Sequence, residues 1–309
     1  MKLPLLLLAG LGAAHVYGPS LGARLFNHPL FILPPSPRRY CELAIDLGQR
    51  YGIHSNSQAA LKATLVAKAK MQQVATFEEA HAISDAALKA YGGVHSGVTE
   101  TTTELNIEST ANVARKEDTV VVDLPGFGPL GQANTVSKAI VRELSKGARS
   151  VILDLRNSYG GELTNMLAAV SPLLPEGIAL SYRGRGNELA SVSILDGTIK
   201  NIEDSDVIDS KQKFNVPVAL LIGENTCDVG EMIALAFHGQ SNVRMFGSPT
   251  AGKTCINLVV PMPDNTSLNI TTSAILTRNG VEFCGNPVEP DEHLDDPFDT
   301  ALAWANSAQ

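Results

Sequence analysis

Near its middle the chain reads Ser150-Val151-Ile152-Leu153-Asp154-Leu155-Arg156-Asn157-Ser158-Tyr159-Gly160-Gly161-Glu162-Leu163. Consecutive Val151, Ile152 and Leu153 are apolar toward both faces of a strand, which suits a parallel sheet covered on two sides. A polar corner and paired glycines then lead into a helical pattern over Leu163–Leu174. Gly160 and Gly161 allow backbone conformations that other residues avoid, so N–H groups there can turn toward a ligand as an oxyanion hole does. A tight strand-to-helix turn would use the same residues, and both readings stand at this point.

The same alternation repeats on either side. Thr119–Leu124 reads as a strand and Asn134–Lys146 as a helix; Val216–Ile222 is a second buried strand and Glu231–His238 a helix. Val243–Gly247 and Leu268–Leu276 are further strands. Strands alternating with helices predict an α/β domain around a largely buried sheet. Residues 181–215 interrupt this rhythm with a polar, Gly- and Asp-rich insertion that holds one strand pattern at Leu189–Leu195. The insertion is too long for an ordinary connection and reads as a cap.

Before the α/β part, residues 38–91 are rich in Ala, Leu, Lys and Gln, with apolar residues at helical spacing. Three helices are expected, broken near 52–57 and 74–76 and ended by Gly92-Gly93. Pro34, Pro35 and Pro37 make a stiff linker, with Ser36 as N-cap and Pro37 at the first helical position. Further upstream, Lys2 precedes the apolar run Leu3–Ala14, and no other charge occurs before Arg24. That pattern reads as a signal peptide or a membrane anchor over 1–25, and either places the body outside the cytoplasm. The expected organisation is a signal-like segment at 1–25, a linker and helical part at 26–95, and an α/β core at 96–309 with its cap at 181–215.

The composition agrees with a folded body. The chain has 309 residues, about two domains at roughly 150 each, and is 44% hydrophobic and 18% charged. Its net charge is −8 and it contains no Lys/Arg-rich run, which excludes an electrostatic footprint for nucleic acid. No phosphate-binding glycine motif occurs, and Cys41, Cys227, Cys255 and Cys284 form no C-x-x-C pair. Neither a cofactor nor a metal is expected.

Two further clusters carry chemistry. Gly92-Gly93-Val94-His95-Ser96-Gly97 sets a histidine at the seam between the helical and α/β parts. It could serve as a general base near neutral pH, or simply be an exposed loop histidine. Ile222-Gly223-Glu224-Asn225-Thr226-Cys227-Asp228-Val229-Gly230-Glu231 is a strand–turn–helix elbow. A nucleophile placed there would meet a helix N-terminus, whereas Asp228 and Glu231 also fit an Asp-x-x-Glu capping box.

In this order the clusters resemble those of the tail-specific (C-terminal processing) serine peptidases, and among these the nisin-resistance group. The resemblance runs from the Pro-Pro-Ser-Pro linker nearly to the C-terminus. It includes Gly-Gly-Val-His-Ser at 92–96, Leu-Asp-Leu-Arg-Asn at 153–157, Ser-Pro-Leu-Leu-Pro at 171–175, Asn225-Thr226 with Glu231, Gly247-Ser248 with Ala251-Gly252, and Pro287 with Pro290-Asp291. It implies a crotonase-like, tail-specific peptidase core with an N-terminal helical part and a small cap insertion. It also implies a membrane-anchored, extracytoplasmic protein whose partner is a lantibiotic-like peptide. By resemblance His95 is the base, the Gly160–Gly161 amides hold the oxyanion, and Lys253 matches the lysine of a Ser–Lys dyad. The elbow departs from the pattern, because Asp228 and Val229 stand where the group has two serines. Cys227 is then the remaining nucleophile, and Asp228 is expected to pair with Lys253. Either an active peptidase with a rearranged site or a silent peptide binder follows. Cys227 and Cys255, flanking Asp228 and Lys253, are expected on neighbouring segments, as free thiols or as a disulfide.

Overall fold

Ser36 Oγ accepts a hydrogen bond from Arg39 N at 3.3 Å, and Pro37 follows it as the first residue of helix α1 (Pro37–Tyr51) in the computed structural model. The structure describes residues 22, 31, 34–101, 110–126, 130–201, 205–207 and 211–308. The signal-like segment expected over 1–25 therefore lies outside the described residues, Gly22 aside. No helix among the described residues is long and apolar enough to cross a membrane. The chain divides into two units: Met1–Leu105, Gly184–Asn187 and Ile256–Ser273 form one, and Asn106–Arg183, Glu188–Cys255 and Ala274–Gln309 form the other.

The first unit is built on α1, α2 (Gln58–Lys70) and α3 (Phe77–Gly92). Ser57 caps α2 through Ala60 N, and Thr76 with Glu79 makes a reciprocal capping box on α3. Gly93, at φ 91°, ends α3 in a conformation suited to glycine. The three helices and both breaks fall where the apolar spacing places them. Tyr40, Leu43, Leu47, Leu88 and Tyr91 fill the interior, together with Val260 and Met262 and with Leu268 and Ile270. Val260 comes from strand β11 (Cys255–Pro261), Met262 directly follows it, and Leu268 and Ile270 come from β12 (Thr266–Thr277), so a distant part of the chain completes this core. Strand β1 (Gly97–Glu100) pairs antiparallel with β12, Gly97 opposite Asn269.

The second unit holds a six-stranded sheet, ordered β14–β10–β9–β4–β3–β2. Strands β3 (Thr119–Asp123), β4 (Ser150–Asp154), β9 (Val218–Ile222), β10 (Val243–Gly247) and the short β14 (Glu292–His293) run parallel. Strand β2 (Asn112–Lys116) closes one edge as an antiparallel hairpin with β3. Ile152, Ala219, Leu221 and Phe246 face a C-terminal helix α7 (Phe298–Ser307) through its Ala301 and Ala305. Their neighbours Val151, Leu153 and Leu220 point to the opposite face by the period of two and are equally buried. Helices α4 (Leu130–Ser145), α5 (Leu163–Val170) and α6 (Val229–Phe237) pack each on the next. This is the α/β core expected. The insertion after α5 forms an antiparallel meander, β5 (Gly177–Gly184), β6 (Leu189–Leu195), β7 (Thr198–Lys200) and β8 (Ser205–Val207).

Gly48, inside α1, sits directly under the buried ring of Tyr91, where a methyl group would overlap ring carbons. Tyr91 cannot easily yield, since its hydroxyl is bonded to Thr64 Oγ1 at 2.7 Å. In an open helix Gly→Ala adds about 1 kcal/mol of stability. Here Gly48→Ala should instead lower stability by about 1–2 kcal/mol through overpacking. Denaturant unfolding followed by helical circular dichroism checks the sign, and a gain would refute the packing account.

Candidate functional site

Three loops leave the carboxyl ends of β4, β9 and β10, the edge at which open parallel sheets carry their sites. After β4, the Asp154 carboxylate accepts from Arg156 N at 3.1 Å, Nε at 3.0 Å and Nη2 at 2.6 Å, which fixes the corner of the Leu-Asp-Leu-Arg-Asn motif. Gly160 and Gly161 follow with φ of 146° and 120°. A Cβ on Gly126 would meet the Gly160 backbone at 2.7 Å or less, so the loop after β3 presses directly on this turn. Glu162 then caps α5, accepting from Asn165 N at 2.9 Å.

The loop after β9 is stitched to the first one. Thr226 Oγ1 donates to Leu155 O at 2.8 Å and accepts from Gly223 N at 3.0 Å. Cys227 N donates to Ser158 O at 3.0 Å, and Cys227 Sγ donates to Tyr159 O at 3.3 Å. Gly230 lies so near Ser158 that a Cβ would stand 2.8 Å from its Cβ. The Gly-Gly turn and the 226–231 elbow are therefore one assembly. Asp228 occupies the apex with φ 53° and ψ −118°, outside the regions that side-chain-bearing residues normally adopt. Holding such a conformation costs about 1–3 kcal/mol and requires the surroundings to impose it.

Glu231 is one of the groups that hold it there. This carboxylate is fully buried in the first turn of α6. Its Oε2 accepts from Asp228 N at 3.2 Å, and its Oε1 accepts from Gly252 N at 2.7 Å and from Thr250 Oγ1. Lys253 N supplies a further bond. The loop after β10 is thereby pulled onto the elbow, and Ala251 N donates to Thr226 O at 3.0 Å. Burial pushes the Glu231 carboxyl above the ordinary glutamate range, and these donors oppose it.

The expected site residues separate as follows. Gly160, Gly161, Cys227, Asp228 and Lys253 all belong to the second unit, and the three loops there are hydrogen-bonded together. His95 belongs to the first unit, in the turn after α3. That turn is anchored by Ser96, whose N donates to Gly93 O at 3.1 Å and whose Oγ accepts from Thr271 N at 2.8 Å. His95 Nε2 is buried and finds no hydrogen-bond partner among the described residues.

One expectation is corrected. Among the described residues no ion pair joins Asp228 to Lys253; Asp228 is exposed at the elbow yet crowded by protein, which raises its pKa, while the charge of Lys253 draws it back down. The lysine is thus a neighbour in charge and not a partner in a bond. Of the two states expected for Cys227 and Cys255, the structure has the free thiols: Cys255 Sγ lies 2.8 Å from Cys284 Sγ, while Cys227 faces the Tyr159 carbonyl. Burial raises the Cys227 thiol, Lys253 lowers it, and Asp228 and Glu231 raise it again. Sequence reasoning read Glu231 as a cap only. Its isolation as the one acid in Val229-Gly230-Glu231-Met232-Ile233-Ala234-Leu235 was the available signal that it would be buried.

Comparison with known proteins places this geometry in context. The model of peptidase family S41 matches residues 118–294. A nisin-resistance protein from Lactococcus lactis subsp. lactis is 28% identical over 289 residues, covering 91% of either chain. The chloroplastic carboxyl-terminal-processing peptidase 1 of Arabidopsis thaliana is 25% identical over 170 residues, which are 55% of this chain and 32% of that one. Among solved structures, a lipoprotein from Streptococcus agalactiae shares the fold at a TM-score of 0.71, with 22% identity over 91% of this chain and 99% of that one.

Glu231 generates a pH prediction. A carboxyl raised on folding adds stability below its unfolded value, and that stability is lost as pH rises through the folded value. Glu231→Gln should abolish this part of the pH dependence. It should also cost about 1–3 kcal/mol at neutral pH, because an amide NH2 would face donors that now bond a carboxylate. Urea unfolding of parent and variant from about pH 4 to pH 8 reads both effects. An unchanged slope would assign the titration elsewhere.

Proposed function

Because this chain belongs to peptidase family S41, we propose that it is an exported, membrane-anchored member that captures a lantibiotic-like peptide without forming an acyl-enzyme. The observation that carries this reading is the strained apex of the elbow, φ 53° and ψ −118°, occupied by Asp228. A sharp strand-to-helix corner is the geometry that presents a nucleophile. A carboxylate there is chemically wrong for acyl transfer, since attack on an amide would give an anhydride and expel a poor leaving group. The neighbouring thiol does not replace it. Cys227 donates to a backbone carbonyl, and its surroundings hold it protonated.

Recognition of a peptide does not need the nucleophile. Gly160 and Gly161 keep the backbone freedom to aim amides at a carbonyl oxygen, and His95 keeps a side-chain nitrogen without a partner among the described residues. The peptide class is supported by the similarity to the nisin-resistance protein of Lactococcus lactis, and the membrane partner by the apolar run Leu3–Ala14. His95 takes the role of base and Lys253 that of a charge beside the elbow only in a chain whose residue 228 can be acylated.

The test is incubation with nisin followed by mass spectrometry and a binding titration. The parent should leave the peptide intact while binding it saturably. Asp228→Ser should gain measurable cleavage, and adding His95→Ala should remove that gain. The reading fails if the parent clips the peptide and Cys227→Ala abolishes the clipping; the chain would then be an active peptidase working through a thiol.

A further inference from the structure

We propose that Cys255 and Cys284 form a disulfide that fastens the loop carrying Lys253 to strand β13 (Glu282–Phe283). The two sulfurs are 2.8 Å apart, with one thiol donating to the other. The backbone beside them is already clamped. Gly285 N donates to Thr254 Oγ1 at 3.1 Å, and Thr254 Oγ1 donates to Asn286 O at 2.8 Å, one residue from each cysteine or two. The other two thiols are engaged elsewhere, Cys41 Sγ with Ala80 O at 3.6 Å and Cys227 Sγ with Tyr159 O at 3.3 Å. Only one pairing therefore requires no rearrangement of the chain.

The chemistry is thiol–disulfide exchange with a small-molecule or protein disulfide as oxidant. Cys255 is buried and Cys284 is partly exposed, so Cys284 is the sulfur that an oxidant reaches. The hydrogen bond received from Cys255, with help from the nearby Arg183, lowers the Cys284 thiol and favours its thiolate. That thiolate attacks one sulfur of the oxidant disulfide, forming a mixed disulfide and expelling the first thiolate. Cys255 then gives up its proton and attacks Cys284 Sγ, expelling the second thiolate. Two protein thiols are oxidised to one disulfide, and one external disulfide is reduced to two thiols.

The consequence lies three residues upstream. Gly252 and Lys253 donate their amides to Glu231, so a bond at Cys255 anchors the end of the segment that holds the buried carboxylate. In the dithiol form that segment retains only its hydrogen bonds. The pairing is independent of whether a peptide is bound or cleaved.

The test uses the full chain treated with glutathione disulfide, denatured with iodoacetamide and digested without reductant. A linked peptide joining Cys255 to Cys284, lighter by two hydrogens than the two separate peptides, is expected. Cys41 and Cys227 should carry the alkyl groups. Hydrogen exchange at the Gly252 and Lys253 amides should be several-fold slower in the oxidised chain than after dithiothreitol. Four alkylated cysteines, or a link through Cys41 or Cys227, would overturn the pairing. Equal exchange in the two forms would overturn the fastening role even with the bond present.

Discussion

A single buried carboxylate organises the loops that matter. Glu231 cannot be solvated, so its oxygens must be satisfied by protein, and the donors come from Asp228, Thr250, Gly252 and Lys253. Those donors sit on two loops separated by a helix and a strand. Satisfying one side chain therefore dictates where both loops lie. The strained residue Asp228 is among these donors, and its N–H is turned back toward the carboxylate where the chain enters α6. Removing the acid would loosen the loop after β10 and the elbow together, leaving the bond from Ala251 N to Thr226 O as a remaining tie between them.

The parallel sheet was plain in the sequence because its strands are buried on both faces and so carry uninterrupted apolar runs, as in Val151-Ile152-Leu153 and Ala219-Leu220-Leu221. The helices of residues 38–91 were plain for a different reason: Ser36, Ser57 and Thr76 are strong caps, and the chain between them has helical spacing. Strand β11 was not legible. Cys255-Ile256-Asn257-Leu258-Val259-Val260-Pro261 exposes Val259 and buries Val260, so hydrophobicity does not report its faces. Helix α7 also escaped: its fully buried contacts are the small Ala301 and Ala305, while the large Phe298, Leu302 and Trp304 pack on the sheet only partly buried.

Within the site, the Gly-Gly turn and the elbow could be located from local pattern, since each marks a strand-to-helix corner. Side-chain direction could not. Cys227 and Cys255 flank the elbow residue and the lysine in sequence, which suggested a common neighbourhood, yet their sulfurs face different carbonyl and thiol partners. Likewise, the opposite charges of Asp228 and Lys253 were expected to close into a pair, whereas the lysine acts on Asp228 only as a nearby charge while its backbone amide serves Glu231. Competition for a buried acceptor is a tertiary property, and no spacing along the chain records it.

The unusual backbone at residue 228 bears on how such a chain can change its trade. The framework around the corner, from Glu231 to Ser158 and Gly230, is tied together by the Asp228 backbone N–H and by the close approach at Gly230, not by the atoms of the apex side chain. The apex works as a socket. Substituting the residue in it alters what the surface can do to a bound molecule while leaving helix, sheet and loops where they were. A change in the chemistry offered at this corner would then need changes at very few positions.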